Sequence, residues 1–331
     1  MYALETAGPQ LTKSRRFSPK KILSRYSIYI VFVILVIVCS LMSNSFLTLE
    51  NVTNLLRQQA YLLIIAMGML LVIITGGIDL SVVTLMGLSV MLTAGMVQER
   101  VPLGLVFLTI FGLGILSGFT QGLLISKLGL PAFIVTLAFM SIFHGASFIY
   151  SHGHPVYIDP GQTGRIFSFL GEGFIGPIPF SVLIAIVITI IIGVILKFTV
   201  YGRSLLAVGG NSEAAWFSGI NPSKYLLAVY TICSLLAALA GFLLCPRLGM
   251  GHPDIGVDDN LDAIAAVVLG GASLAGGRGN ASGTVVGVFT LGLIRNILNL
   301  MNIPSYPQLA IKGIIIIIAV LAQLGKGQGK N

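Results

Sequence analysis

The stretch VGGNSEAAWFSGINPSKY, residues 208–225, separates two runs so apolar that neither would stay in water. Its polarity needs a reason in a chain of 331 residues that is 56% hydrophobic and only 9% charged. Asn211 has the side chain of a helix N-cap, Gly219 can end a helix in the left-handed conformation, and Pro222 cannot continue one. The spacing predicts a helix over Ser212–Ser218, two turns long. So short a helix is unstable alone in water and needs a surface to dock on. Trp216, the chain's one tryptophan, and Phe217 offer an apolar contact, and Glu213 offers a charge. That surface is either the chain's own helix bundle or a partner.

The rest of the sequence points to a bilayer as solvent. A mean hydropathy of +0.98 exceeds what a soluble core of this size needs. Forty glycines suit helices that approach closely in lipid. Cys39, Cys233 and Cys245 have no paired spacing, so neither a disulfide framework nor a zinc site is indicated. The net charge of +8 is concentrated where it orients a membrane protein. Lys13, Arg15, Arg16, Lys20, Lys21 and Arg25 precede the first apolar run with Phe17 alone among them, which is no set of aromatic platforms for nucleic acid. The run that follows, Tyr26–Met42, lacks a small-x-small cleavage site and is expected to be a retained membrane anchor.

Apolar runs long enough to span lie near 26–43, 58–75, 78–97, 102–125, 130–150, 178–199, 225–244, 283–301 and 309–324. A tenth, 261–277, is short and glycine-rich, and reads as broken or re-entrant. The expected fold is therefore an all-α polytopic membrane protein of about ten transmembrane helices, with both termini cytoplasmic. That topology puts thirteen cations inside (the six above with Lys127, Lys197, Arg203, Lys224, Arg278, Lys326 and Lys330) and four outside, Arg57, Arg100, Arg165 and Arg247. The excess fixes the orientation. Glu50, Glu99, Asp159, Glu172, Asp254, Asp258 and Asp259 fall outside, while Glu5 and Glu213 are cytoplasmic. Two halves also look alike: LPAFIVTL (130–137) beside IPSYPQLA (303–310), and IDLSVVTL (78–85) beside NLDAIAAV (260–267). Inverted five-helix repeats and chance similarity of apolar segments both account for this.

Few residues carry chemistry. There is no HExxH, no GxSxG and no phosphate-binding P-loop, because Gly325-Lys326 is followed by Gly327. No catalytic residues are assigned, and energy for any transport must come from a partner or a gradient. His152 and His154 are two ligands at most, too few for a structural metal site, and His144 is expected to pack or hydrogen-bond. Asp79 and Asp262 are the acids within apolar runs, each near a helix start; capping and a place along a substrate path both explain them. Arg295 and Lys312 are expected to snorkel to the outer interface, leaving few fixed charges along the pathway. Gln58, Gln59, Gln121, Asn296 and Asn299 suit either substrate contact or interhelical hydrogen bonds. Gly114, Gly118 and Gly122, and Gly283 with Gly287, read as packing faces.

Glu213-Ala214-Ala215-x-x-x-Gly219 resembles the EAA loop of bacterial ABC importer permeases, and AVGGNSEAAWFSGI (207–220) resembles that of the ribose-type branch. GGIDLS (76–81) and LDAIAAVVLGGASLAGGRG (261–279) resemble two further segments of that branch, in the same order. Val83 and Asn260 depart from the pattern, where the branch has Gly and Glu. The resemblance implies a multi-pass permease of the bacterial inner membrane that translocates a monosaccharide. It also implies a cytoplasmic ATP-binding cassette subunit holding ATP and Mg, a periplasmic sugar-binding protein, and a second permease, identical or paralogous. This chain would bind no cofactor of its own.

On that resemblance the chain divides into a basic tail (1–25), the permease domain (26–325) with its coupling loop (201–224), and a C-terminal tail (326–331). Gly209, Gly210, Asn211, Glu213, Ala214, Ala215 and Gly219 would couple to the ATPase. Gly76, Gly77, Asp79, Ser81, Asn260, Asp262 and Asn296 would lie along the substrate path. An ion-coupled secondary sugar carrier is the alternative.

Overall fold

The computed structural model describes residues 19–159, 164–257, 260–304, 306–314 and 317, with the backbone alone for 19–27 and 260. The chain runs α1 (Pro19–Met42), α2 (Leu49–Ile74), α3 (Val82–Gln98), α4 (Leu103–Ser126) and α5 (Ala132–Ser151). It continues through β1 (Val156–Tyr157), α6 (Arg165–Glu172), β2 (Phe174–Ile175), β3 (Ile178–Pro179) and α7 (Phe180–Phe198). Then come α8 (Val200–Gly210), α9 (Ser212–Phe217), α10 (Pro222–Leu248), β4 (Met250–Gly251), α11 (Asn260–Leu269) and α12 (Ala281–Leu300). A helical stretch at 306–314 follows. The four strands have two residues each and only pin connections: β1 pairs with β4, and β2 with β3.

Six of these helices are long and apolar enough to cross a membrane: α2, α4, α5, α7, α10 and α12. Their arrangement follows from which faces are apolar. From Leu63 to Ile74 every residue of α2 is buried, as a helix hydrophobic all round requires. α2 and α10 cross at the centre, and α3 packs on α10. Around them, α1, α4, α5 and α7 turn large apolar residues outward, among them Val31, Leu116, Ile134 and Ile190. No aqueous surface would tolerate so broad an apolar belt, so this is the lipid face. The glycine seams read from sequence are contacts. Gly114, Gly118 and Gly122 of α4 lie against α10, and Gly283 and Gly287 of α12 lie against α11.

Several boundaries differ from the sequence reading. α2 begins at Leu49 rather than near 58, because Thr48 caps it by accepting from Asn51 N–H at 3.4 Å. α3 begins at Val82 rather than 78, because Gly76, at φ +80°, ends α2 and the chain stays non-helical through Ser81. α11 stops at Leu269, leaving 270–280 as turns, so the glycine-rich run is a broken one. The loop 201–224 holds a helix, α8, besides the expected one: Thr199 caps it through Gly202 N–H at 3.2 Å, and Leu205 and Val208 are buried.

Candidate functional site

At one end of the bundle, Asn211 joins α8 to α9 with no linker between them. Its N–H donates to Ala207 O at 3.0 Å, closing α8, and its Oδ1 accepts from Ala214 N–H at 2.9 Å, opening α9. The other end of α9 closes as a Schellman motif. Ile220 N–H donates to Ala215 O at 3.0 Å and Gly219 N–H to Trp216 O at 2.9 Å, with Gly219 at φ +82°. Asn221 then caps α10, and Ser223 Oγ donates to Ser126 O at 3.0 Å, tying the return to α4. At the loop's base the rings of Tyr201 and Tyr225 lie 5.0 Å apart. Burial, with Tyr225 alongside, pushes the Tyr201 hydroxyl up to about 12, so it stays neutral.

The helix therefore starts at Ser212 as predicted and ends at Phe217, one residue before the predicted Ser218, and its orientation is informative. Only Ala215 is buried against the bundle; Glu213 and Ala214 are exposed, Trp216 is 58% exposed and Phe217 80%. A helix that merely packed on its own protein would turn those rings inward.

Gly209 and Gly210 close α8 where α2 ends and the 275–277 turn passes. Gly76 is at the same junction, and Gly77 lies against the Tyr230 hydroxyl. Asp79, Ser81 and Gln121 are fully buried nearby. Ser81 N–H and Oγ donate to Asp79 Oδ1 at 2.9 and 2.7 Å. Ser81 Oγ also lies 3.1 Å from Gln121 Oε1, and one hydroxyl proton cannot serve both. Turning the Gln121 amide over lets Nε2 donate to Ser81, giving a chain from α4 to Asp79. Asp79 thus fixes the non-helical entry to α3 and links it to α4.

A cavity of about 620 Å³ lies toward the other end of α2. It is lined by α2, α3, α10, α11, α12 and the 306–314 stretch, with Gln58, Gln59, Arg247, Asp262, Arg295, Asn299, Gln308 and Lys312 as its polar and charged groups. Lys312 Nζ is 2.8 Å from Asp262 Oδ2, and Gln308 Nε2 donates to Asn299 Oδ1 at 2.9 Å. The Arg247 guanidinium lies 5.9 Å from the Tyr61 ring centroid.

These positions correct two expectations. Lys312 and Arg295 line the cavity instead of snorkelling outward, since Asp262 offers Lys312 a counter-charge inside. The cavity consequently holds four charged side chains, not few. Of the residues assigned to the substrate path, Asp262 lines it, whereas Asp79, Ser81, Gly76 and Gly77 do not. Asn296 makes a reciprocal amide pair with Asn51 at 2.8 and 3.1 Å. Asn260 starts α11, and its side chain is outside the described residues. Arg247, Arg295, Gln308 and Lys312 were not read from sequence as cavity residues; the signal for Arg295 and Lys312 was a charge inside an apolar run.

On the flank of α5, His144 Nε2 lies 3.1 Å from Asp254 Oδ1, so it is hydrogen-bonded as expected. His152 ends α5 at φ +51°. Among the described residues no cluster of three His, Cys, Asp or Glu side chains could hold a metal.

A cavity carrying four charged side chains within an apolar bundle, with a capped helix projecting from one end, fits a translocation subunit. Residues 51–320 match the family described as branched-chain amino acid transport system, permease component. The chain belongs to that family. It is 41% identical over 310 residues to the ribose import permease protein RbsC of Bacillus subtilis, covering 94% of this chain and 96% of the relative. The Escherichia coli K12 RbsC is 38% identical over 312 residues, 94% and 97% of the two chains. The L-arabinose ABC transporter permease protein AraH of Azospirillum brasilense is 34% identical over 303 residues, 91% and 88%. No solved structure matches. The chain is thus a multi-pass inner-membrane permease component of an ABC importer, a transport subunit.

Proposed function

We propose that this permease imports a monosaccharide of the ribose type, driven by ATP hydrolysis on a separate cassette subunit. The single observation that carries the reading is α9: rigidly capped at both ends, joined directly to α8, and turning Trp216 and Phe217 outward. That is the form of a knob for a partner's cleft. RbsC and AraH, a ribose import permease and an L-arabinose transporter permease, support the sugar class, and the amide groups of the cavity suit a hydroxyl-rich solute. ATP and Mg belong to the cassette subunit. A periplasmic sugar-binding protein would deliver the solute, and a second permease, identical or paralogous, would complete the pathway. With ten crossings both termini are cytoplasmic and α9 faces the cytoplasm.

The purified complex, reconstituted into liposomes with the cassette subunit and the binding protein, should accumulate ribose with ATP and no ion gradient. Uptake that needs a proton or sodium gradient instead would make this an ion-coupled carrier.

Gly219→Val should leave the bundle intact, because a Cβ there meets no atom within 4 Å. The cost is local, about 1–2 kcal/mol for a β-branched residue in the left-handed region. Together with Glu213→Lys it should abolish recovery of the cassette subunit while expression stays normal. Normal recovery and normal uptake would remove α9 from the docking role.

Orientation has its own test, helped by the burial of Cys39, Cys233 and Cys245. A cysteine at exposed His154 should react with an impermeant thiol reagent from the periplasm, and one at Ser212 only after the membrane is opened. Ser151 would be a poor reporter because it is buried, and Gly161 lies outside the described residues. Labelling of residue 212 from the periplasm would invert the topology.

A further inference from the structure

Three segments distant in sequence meet behind α9, and they meet by backbone alone. A Cβ on Gly209, at the end of α8, would fall on the carbonyl oxygen of Ile74, the last residue of α2, and 2.8 Å from Gly277 N. A Cβ on Gly276 would fall on Gly209 O and lie 3.0 Å from Gly76 N. Gly277 N–H donates to Ile74 O at 2.9 Å. Ser273 N–H, bonded to Arg278 O at 3.0 Å, closes the turn that presents these glycines. No side chain stands between the three backbones, so no rotamer change can absorb a displacement. Close-packed protein of this kind transmits strain rather than compressing.

What lies on either side gives the junction its meaning. Toward the partner, α8 passes into α9 through the one shared residue, Asn211. Toward the cavity, α2 leads from Ile74 to Tyr61, Gln59 and Gln58, and α11 carries Asp262.

The geometry points to Gly209, Gly276 and Gly277 as a stiff joint that turns movement of α9 into movement of α2 and α11, two of the helices lining the cavity. The inference rests on the docking role proposed for α9 and adds to it. Gly76, assigned from sequence to the substrate path, belongs to this joint instead. These are positioning residues, touching neither solute nor nucleotide.

Gly112 of α4 supplies the control, since it is exposed, outside the joint, and a Cβ there meets nothing within 4 Å. Gly209→Ala and Gly112→Ala should be compared in the complex with cassette subunit and binding protein, using ribose as the probe. For Gly209→Ala, cassette recovery should be normal and ATP hydrolysis within about twofold of wild type, while ribose moved per ATP falls about tenfold, inside the range of measured site-to-site couplings. Gly112→Ala should keep the wild-type ratio. An unchanged ratio in Gly209→Ala, or an equal fall in both variants, overturns the joint. Failure of the wild-type chain to recover the cassette subunit overturns the docking role of α9 and the joint with it. Should Gly209→Ala not insert, amide exchange on the wild-type complex decides. The Gly277 amide should exchange as slowly in an ATP-trapped complex as at rest, and faster exchange in the trapped form overturns rigid transmission.

Discussion

Lys312→Met should destabilise the detergent-solubilised protein, by up to the roughly 3–5 kcal/mol that breaking a largely buried ion pair costs. The removed ammonium sits 2.8 Å from Asp262 Oδ2, with side-chain exposures of 19% and 10% for Lys312 and Asp262. Asp262→Leu should cost a similar amount from the other side. The double variant, Asp262→Leu with Lys312→Met, should recover much of the loss, because two apolar groups leave no charge to solvate. Transport should not recover with it, since both residues line the cavity. Unfolding curves for the two single variants and the double variant separate the effects. A double variant no more stable than the worse single variant would mean that the pair is not a unit.

Gly118→Leu should detach α4 from the bundle. A Cβ at 118 would lie 2.5 Å from Tyr230 O and 2.6 Å from Thr231 Cα, so the clash is with the backbone of α10. Backbone cannot swing aside, and the cost should reach the upper end of the roughly 1–3 kcal/mol typical of overpacking. α4 is vulnerable because most of its surface faces outward and this seam is its main contact with the core. Gly112, on the same helix, has no atom within 4 Å of its Cβ position. Gly112→Leu should therefore behave as wild type in size-exclusion profile and thermal stability, while Gly118→Leu aggregates. Equal behaviour of the two would show that the seam does not hold α4.

Helix α9 was legible because its signals are local. A cap three residues before its bond, a glycine where the chain must turn left-handed and a proline beyond it are written within twelve residues, 211–222. The cavity was not legible in the same way. Gln58 and Gln59 looked no different from Gln121, yet the first two line the cavity and the third joins a buried chain to Asp79. An amide in an apolar run has the same sequence signature in either role.

From sequence alone came the solvent and the periodic elements: apolar runs set by bilayer thickness, small residues where helices must touch, and caps where backbone donors would go unpaired. These follow from each segment's own composition and hold wherever the segment is placed. Tertiary structure alone decided that Lys312 turns inward to Asp262, that Asn296 pairs with Asn51, and that Gly76, Gly209 and Gly276 share one contact. Each depends on which helices become neighbours, across 245 residues in the case of the asparagine pair. A charge or a glycine in one run has no information about its counterpart until the bundle closes, so its partner is fixed by packing and not by pattern.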